Sequence, residues 1–173
     1  MNRYSNKVVV VTGGTSGIGL ATAKAFAAEG AQVYITGRRQ QALDKAVQEI
    51  GGSVVGVRGD MGKLGDIDHL YDVIQQQHGQ IDVLVANAGG GDFAALGEIT
   101  EQHYEQTFNT NVKGVLFTVQ KALPLLKDGA SIVMTASTTS VKGTPAFSVY
   151  SATKAAVRNF ARSRILDLKP RRI

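Results

Sequence analysis

Short β-branched runs alternate with longer helix-forming stretches along this chain of 173 residues, and that alternation constrains its fold most. Lys7–Val11 is a β-branched run ending in Thr12-Gly13-Gly14. The Ala-rich Ile18–Glu29 follows, with Gly30 where the residue after a helix belongs. Val33–Thr36 predicts a second strand and Gln40–Ile50 a helix stopped by Gly51-Gly52. Ser53–Arg58 predicts a third strand, and Leu64–His78 a helix closed by Gly79. Ile81–Ala86 predicts a fourth strand, breaking at Asn87-Ala88-Gly89-Gly90-Gly91. A helical region then runs from about Thr100 to Leu126, and Ile132–Thr135 predicts a fifth strand. The loop Ala136–Val149 leads into a last helix, Tyr150–Leu168, before Pro170. Short apolar strands separated by longer helices suit a parallel sheet covered on both faces. Right-handed crossovers wind such a sheet doubly. The expectation is one three-layer α/β domain over residues 1–173, since a domain takes roughly 100–200 residues.

Composition narrows the chemistry. Apolar residues make up 43% and charged residues 19%, which argues against disorder. The chain has no Cys, so disulfides, thiolate metal sites and Cys nucleophiles are excluded. His69, His78 and His103 match no ligand spacing, so no metal is expected, and His78 and His103 are assigned to solvent-facing helix positions. The net charge of +5 is unevenly placed. Lys154–Ile173 holds Lys154, Arg158, Arg162, Arg164, Lys169, Arg171 and Arg172 against the single acid Asp167. Without an aromatic platform or a nucleic-acid motif, a solvated helix face is favoured over a nucleic-acid or membrane contact. Val8–Val11 is too short for a signal segment, and no run of about 18 apolar residues exists. A cytoplasmic protein with neither a nucleic-acid nor a membrane partner is expected.

The first strand runs into Thr12-Gly13-Gly14-Thr15-Ser16-Gly17-Ile18-Gly19 and a helix. Glycines at such a junction allow a tight turn, a close approach of backbone to a pyrophosphate, and helix–strand packing. The helix N-terminus adds free N–H groups for the phosphates. This is the arrangement of a Rossmann-type dinucleotide site. An NAD site would carry an acid about 20 residues later for the ribose 2′-OH. Here the second strand ends in Thr36-Gly37-Arg38-Arg39. Two arginines at a helix start oppose its dipole unless an anion lies beside them. NADP(H) is therefore expected ahead of NAD(H), with two exposed loop arginines as the plain alternative.

A second constellation follows the fifth strand. Tyr150-Ser151-Ala152-Thr153-Lys154 opens the last helix, so Tyr150 and Lys154 share one face. An ordinary phenol, with a pKa of about 10, is a poor base at neutral pH. An ammonium one turn away favours its phenolate. Ser137 stands at the carboxyl end of the fifth strand, the edge where such sheets bind ligands.

These residues, in this order, resemble the short-chain dehydrogenase/reductase family over residues 7–169. The glycine motif matches at Gly13, Gly17 and Gly19, with Thr15, Ser16 and Ile18 between them; the catalytic signature matches at Tyr150 and Lys154. Ser137 and Asn111 fall at the family's catalytic serine and asparagine. Asp60 and Met61 match the adenine contact, and Asn87-Ala88-Gly89 the motif flanking the cofactor. Ala86 replaces an Asn often found there. Arg38, followed by Arg39, resembles the NADPH-preferring members.

The resemblance implies hydride transfer between nicotinamide and a carbonyl or secondary alcohol. Tyr150 would be the general acid or base and Ser137 the partner of the substrate oxygen. Lys154 would tune Tyr150 and hold the cofactor ribose, and Asn111, at a local helix kink, would place a water relaying protons to Lys154. Gly89–Leu96 and Thr138–Val149 are expected to line a pocket for a small-molecule substrate, although their residues single out no particular ligand. The apolar flank Ala155, Val157, Phe160, Ala161, Ile165 and Leu168 suggests a homo-oligomer, a dimer or tetramer. Family members continue beyond the last helix, so the fold is expected to lack their final strands. A truncated, catalytically impaired cofactor-binding or dimerisation module is therefore the second reading, and nucleic-acid binding through the basic helix the third.

Overall fold

A computed structural model describes residues 2–173, leaving Met1 of the expected domain outside the described residues. Five strands form one parallel sheet: β1 (Val8–Val11), β2 (Gln32–Gly37), β3 (Val54–Arg58), β4 (Ile81–Ala86) and β5 (Leu126–Met134). Their order is β3-β2-β1-β4-β5. The chain winds outward from β1 to β3, then crosses back to place β4 on the other side of β1. That reversal opens a crevice above the carboxyl ends of β1 and β4. The doubly wound α/β fold expected from the alternation is the fold observed.

The helices are α1 (Gly17–Ala28), α2 (Gln40–Ile50), α3 (Leu64–Gln77), α4 (Glu101–Phe108), α5 (Val115–Ala122) and α6 (Ser148–Leu168). Strand β1 shows why the sheet needs cover on both sides, because all four of its valines are buried. Val8 and Val10 join Tyr34, Leu84, Leu70, Ile74 and Val119 in one core. Val9 and Val11 join Val33, Ile35, Ala23 and Leu43 in the other. Alternate side chains of a strand point to opposite faces, so one apolar run supplies both layers. No helix among the described residues is long and apolar enough to cross a membrane.

The largest differences from expectation lie around the fifth strand. The helix expected to reach Leu126 ends at Ala122, because Pro124 has no amide with which to continue it. Strand β5 accordingly begins at Leu126 rather than Ile132. Leu126 pairs with Ile81, but Ser131 pairs with Val83, so polar residues between them bulge from the ladder. Within the bulge Gly129 takes φ +80°, a conformation glycine adopts readily. Ser137, expected to end the fifth strand, lies past its last residue, Met134, and opens a 3-10 turn over Thr138–Ser140.

The bulge is tied down by charge. Asp82 on β4, with its side chain only 8% exposed, meets Lys127 at 2.7 Å and Lys7 at 3.2 Å. It also accepts the amide of Val8 at 2.9 Å. Burial pushes its carboxyl up, but Lys127, the Val8 amide and Lys7 together hold it below the usual range.

Between α4 and α5 the rod continues through a π-helical turn, Asn109–Gly114. At Asn111, where a kink was expected, the helix widens into this turn. The basic C-terminal segment is not a uniform surface stripe. Arg164 donates to the Leu116 carbonyl at 3.3 Å and approaches the Met134 sulfur at 3.1 Å. Arg171 pairs with Asp128 at 2.9 Å and donates to the carbonyls of Leu123 and Leu126. Of the expected apolar flank of α6, Val157 is buried, whereas Ile165 stands 65% exposed.

Candidate active site

The crevice at the sheet's switch point is a cleft of about 870 Å³. The glycine turn forms one wall. Gly13 has φ +67°, and a Cβ there would lie 2.9 Å from the Ala88 Cα. A Cβ at Gly19 would lie 2.2 Å from the Gly13 carbonyl oxygen, so α1 packs onto its own entry turn only without one. Helix α1 starts with Ser16 as N-cap, with no side-chain cap and no acid in the first turn. Its opening N–H groups and positive dipole end are left for an anion.

Thr12 and Asn87 join the strand ends beneath this turn. The Thr12 hydroxyl accepts the amides of Asn87 and Ala88, each at 3.0 Å. Asn87 Nδ2 donates to the carbonyls of Thr12 at 3.1 Å and Gly13 at 3.3 Å. Its Oδ1 accepts the Thr135 hydroxyl at 3.1 Å, which brings the end of β5 into the same network.

Gly13, Thr15, Ser16, Ile18, Gly19, Arg38, Asp60, Met61, Asn87, Ala88, Gly89, Tyr150 and Lys154 all line the cleft. Gly17 and Arg39 are not among its lining residues. Gly17 takes φ +52° at the start of α1, and Arg39 is the N-cap of α2. Asp60 also shapes its own turn, since its Oδ1 accepts the Gly62 amide at 2.9 Å.

The Tyr150 pair stands at the other end of the cleft. Helix α6 begins two residues before the expected Tyr150, which leaves Tyr150 and Lys154 one turn apart on its first turns. Lys154 is only 3% exposed, and burial lowers its pKa from the ordinary lysine value. Its Nζ donates to the Thr135 carbonyl at 2.8 Å and lies 5.4 Å from the centre of the Tyr150 ring. Gly91 packs against that ring so closely that a Cβ would come within 2.6 Å of Tyr150 Cδ2.

Ser137 and Asn111 are set back from the lining. The Ser137 oxygen accepts the Thr139 amide at 3.2 Å and the Thr139 hydroxyl at 2.9 Å. Both of its lone pairs are thereby engaged, and its own proton remains to be donated. Asn111 is fully buried in the π-turn. Its amide is occupied by Gly90 and by Thr153, whose hydroxyl it reaches at 3.0 Å.

Sequence reasoning missed several lining residues, among them Lys63, Gln106 and Thr107. Lys63, two residues beyond Met61, carried a legible signal as a cation beside an expected adenosine contact. His103 corrects an expectation. Instead of facing solvent it lines the cleft, with a buried Nε2 that has no hydrogen-bond partner.

Comparison with known proteins agrees with this fold. The family model described as short chain dehydrogenase matches residues 7–173. The oxidoreductase asL5 of Sarocladium schorii is 46% identical over 94% of this chain, which spans 66% of that protein. A short chain dehydrogenase from Burkholderia cenocepacia J2315, solved in complex with NADP, superposes with a TM-score of 0.92 at 32% identity. That match covers 98% of this chain and 71% of the other. A 3-ketoacyl-(acyl-carrier-protein) reductase from Brucella melitensis, complexed with NADH, gives a TM-score of 0.92 at 29% identity, covering 98% and 73%. This chain belongs to the short-chain dehydrogenase/reductase family of oxidoreductases.

Proposed function

We propose that this chain carries the cofactor site and the acid/base group of an NADP(H)-dependent oxidoreductase acting on a carbonyl or secondary-alcohol substrate. The observation that carries this reading is one shared cleft. The glycine turn, Arg38, Tyr150 and Lys154 all open onto it.

The residues present fit a phosphorylated dinucleotide. An uncapped helix start without acids suits the pyrophosphate, and the volume is in the range of small-molecule sites. Arg38, exposed, directly follows β2, and Lys63, ahead of α3, lines the same cleft, so a ribose 2′-phosphate there would gain charge-assisted bonds. The NADP and NADH complexes of the two neighbours bracket the choice, and Arg38 favours NADP(H). A bound nicotinamide supplies the hydride in reduction and accepts it in oxidation.

The remaining work falls to side chains. Tyr150 gives its phenolic proton to the substrate oxygen in reduction and takes it back in oxidation. Ser137 donates its free proton to the same oxygen and stabilises the charge developing there. Lys154, held by the Thr135 carbonyl, stands beside the Tyr150 ring, within reach of the cofactor ribose. Asn111 is a positioning residue that fixes the glycine loop. The proposed assembly is a homo-oligomer built on the exposed flank of α6.

Binding of NADPH and NADH, with turnover on ketones and alcohols, tests the reading. Tyr150→Phe is expected to lower turnover by about 10²–10⁴-fold while leaving NADPH affinity nearly unchanged. Retained activity rejects Tyr150 as the acid. Cofactor binding without turnover of any substrate would favour a binding or dimerisation module.

A further inference from the structure

The turn that follows β3 carries four cleft residues in a row, Asp60, Met61, Gly62 and Lys63. It closes on itself. The Asp60 side chain accepts the Gly62 amide at 2.9 Å, and the Asp60 carbonyl accepts the Lys63 amide at 2.9 Å. Three elements hold the turn from outside. At the end of β2 the Gly37 carbonyl accepts the Gly59 amide at 3.1 Å. On a second side the Met61 carbonyl lies against the π-turn, where a Cβ at Gly114 would stand 2.5 Å from its oxygen.

The third support is a side chain. Asp66, in the first turn of α3, accepts the Asp60 amide on Oδ2 at 2.7 Å. Its Cβ backs onto Gly59, where an added Cβ would lie 3.2 Å away. Asp66 is not among the residues that line the cleft, so it bears on the cleft through this turn. An acid in the first turn of a helix suits the dipole whichever way it points. This one reaches back six residues, past the Lys63 N-cap, to the amide of the residue expected at the adenine. A charge-assisted bond of this kind fixes the direction of the Asp60 peptide before a ligand arrives.

We propose that Asp66 is a positioning residue for the adenosine half of the cofactor. It holds Asp60 and Met61 where the adenine would lie. Through the Lys63 amide on the Asp60 carbonyl it also sets the root of the Lys63 side chain. The inference rests on the cofactor reading and adds to it a residue outside the cleft. At the Tyr150 end the glycine loop is held by Asn111 and not by Asp66, so loss of Asp66 should be felt at one end only.

The test measures binding of three probes. NADPH and 2′,5′-ADP, its adenosine half, are titrated by calorimetry, and reduced nicotinamide mononucleotide, the other half, by NMR. Asp66→Ala should weaken NADPH and 2′,5′-ADP alike, by about tenfold, and leave the mononucleotide unchanged. Asp66→Asn, which keeps an acceptor oxygen, should bring both back to within about twofold of wild type. Hydrogen exchange on the wild-type chain should find the Asp60 amide protected before any nucleotide is added. Free exchange of that amide overturns the proposal, as does an unchanged 2′,5′-ADP affinity in Asp66→Ala. An equal loss for the mononucleotide would assign Asp66 to the stability of the whole fold and overturn it too. A loss in Asp66→Asn as large as in Asp66→Ala would assign the effect to charge at the start of α3, with the same result. In each of these cases wild-type binding of NADPH leaves the cofactor reading standing. Failure of the wild-type chain to bind NADPH would remove that reading and the role of Asp66 with it.

Discussion

Asn111 grips Gly90 at two points, donating Nδ2 to its carbonyl at 2.8 Å and accepting its amide on Oδ1 at 3.1 Å. A side-chain amide carries both a donor and an acceptor, so one residue can satisfy both backbone polar groups of another. The same Nδ2 reaches Thr153 on α6, and Thr153 in turn donates to the Tyr150 carbonyl at 2.6 Å. The glycine loop, the π-turn and the helix carrying Tyr150 and Lys154 are thus held by one side chain.

Asn111→Ala would leave the Gly90 amide and carbonyl without partners, at about 1–3 kcal/mol for each group that water cannot reach. The expected result is a lower Tm and a fall in kcat larger than the loss of NADPH affinity. Asn111→Asp, which keeps the acceptor and loses the donor, should be intermediate. Thermal melts and steady-state kinetics on the three proteins check this, and a wild-type kcat for the alanine variant would refute the clamp.

Arg38→Asp should reverse the cofactor preference. On the proposed reading the substitution would remove a charge-assisted partner of the 2′-phosphate and supply an acceptor for a 2′-hydroxyl, an effect of about 10- to 100-fold on the NADPH/NADH ratio. Titration of both cofactors reads it directly. An unchanged ratio would return Arg38 to an ordinary loop position.

Gly90 and Gly91 should answer differently to an added methyl group. At Gly91 a Cβ meets the Tyr150 ring at 2.6 Å, whereas at Gly90 nothing lies within 4 Å. Gly91→Ala is therefore expected to displace the ring and lower kcat, and Gly90→Ala to leave it close to wild type. Equal effects would mean that the loop yields as a whole.

Asp82 should shape the acid limb of stability. Its carboxyl is held below the usual range in the folded protein, so its contribution is present above about pH 4. That contribution is lost as the pH falls through the lower folded value. Both lysine partners are partly exposed, so Asp82→Asn is expected to cost only about 1–2 kcal/mol at neutral pH. The difference between wild type and variant should shrink on acidification, which denaturant melts at several pH values would measure. A difference independent of pH would assign the effect to packing.

Much of this was readable because local chemistry and global fold agree. Val8–Val11 could serve only as a strand buried on both faces, and Gly13 and Gly19 occupy positions where a Cβ would strike backbone. The start of β5 was not readable, because Leu125 and Leu126 continue a helical apolar spacing while Pro124 and the distant Asp82 decide otherwise. His103 was misplaced for a similar reason. Its place on the cleft wall follows from where α4 docks against α6, which neighbouring residues in the chain do not reveal. The stacking of Phe93 on Phe147 joins two segments far apart in sequence and leaves no local trace.

The π-turn at Asn109–Gly114 gives the rod from Glu101 to Ala122 one residue more than a plain α-helix of that reach would hold. Each residue advances an α-helix by about 100°, so excising one would swing every later side chain by that angle. Either Val115, Val119 and Ala122 would keep facing the sheet or Asn111 would keep facing Gly90, but not both. The surplus residue lets a single rod hold two phases, one set by the core and one by the cleft.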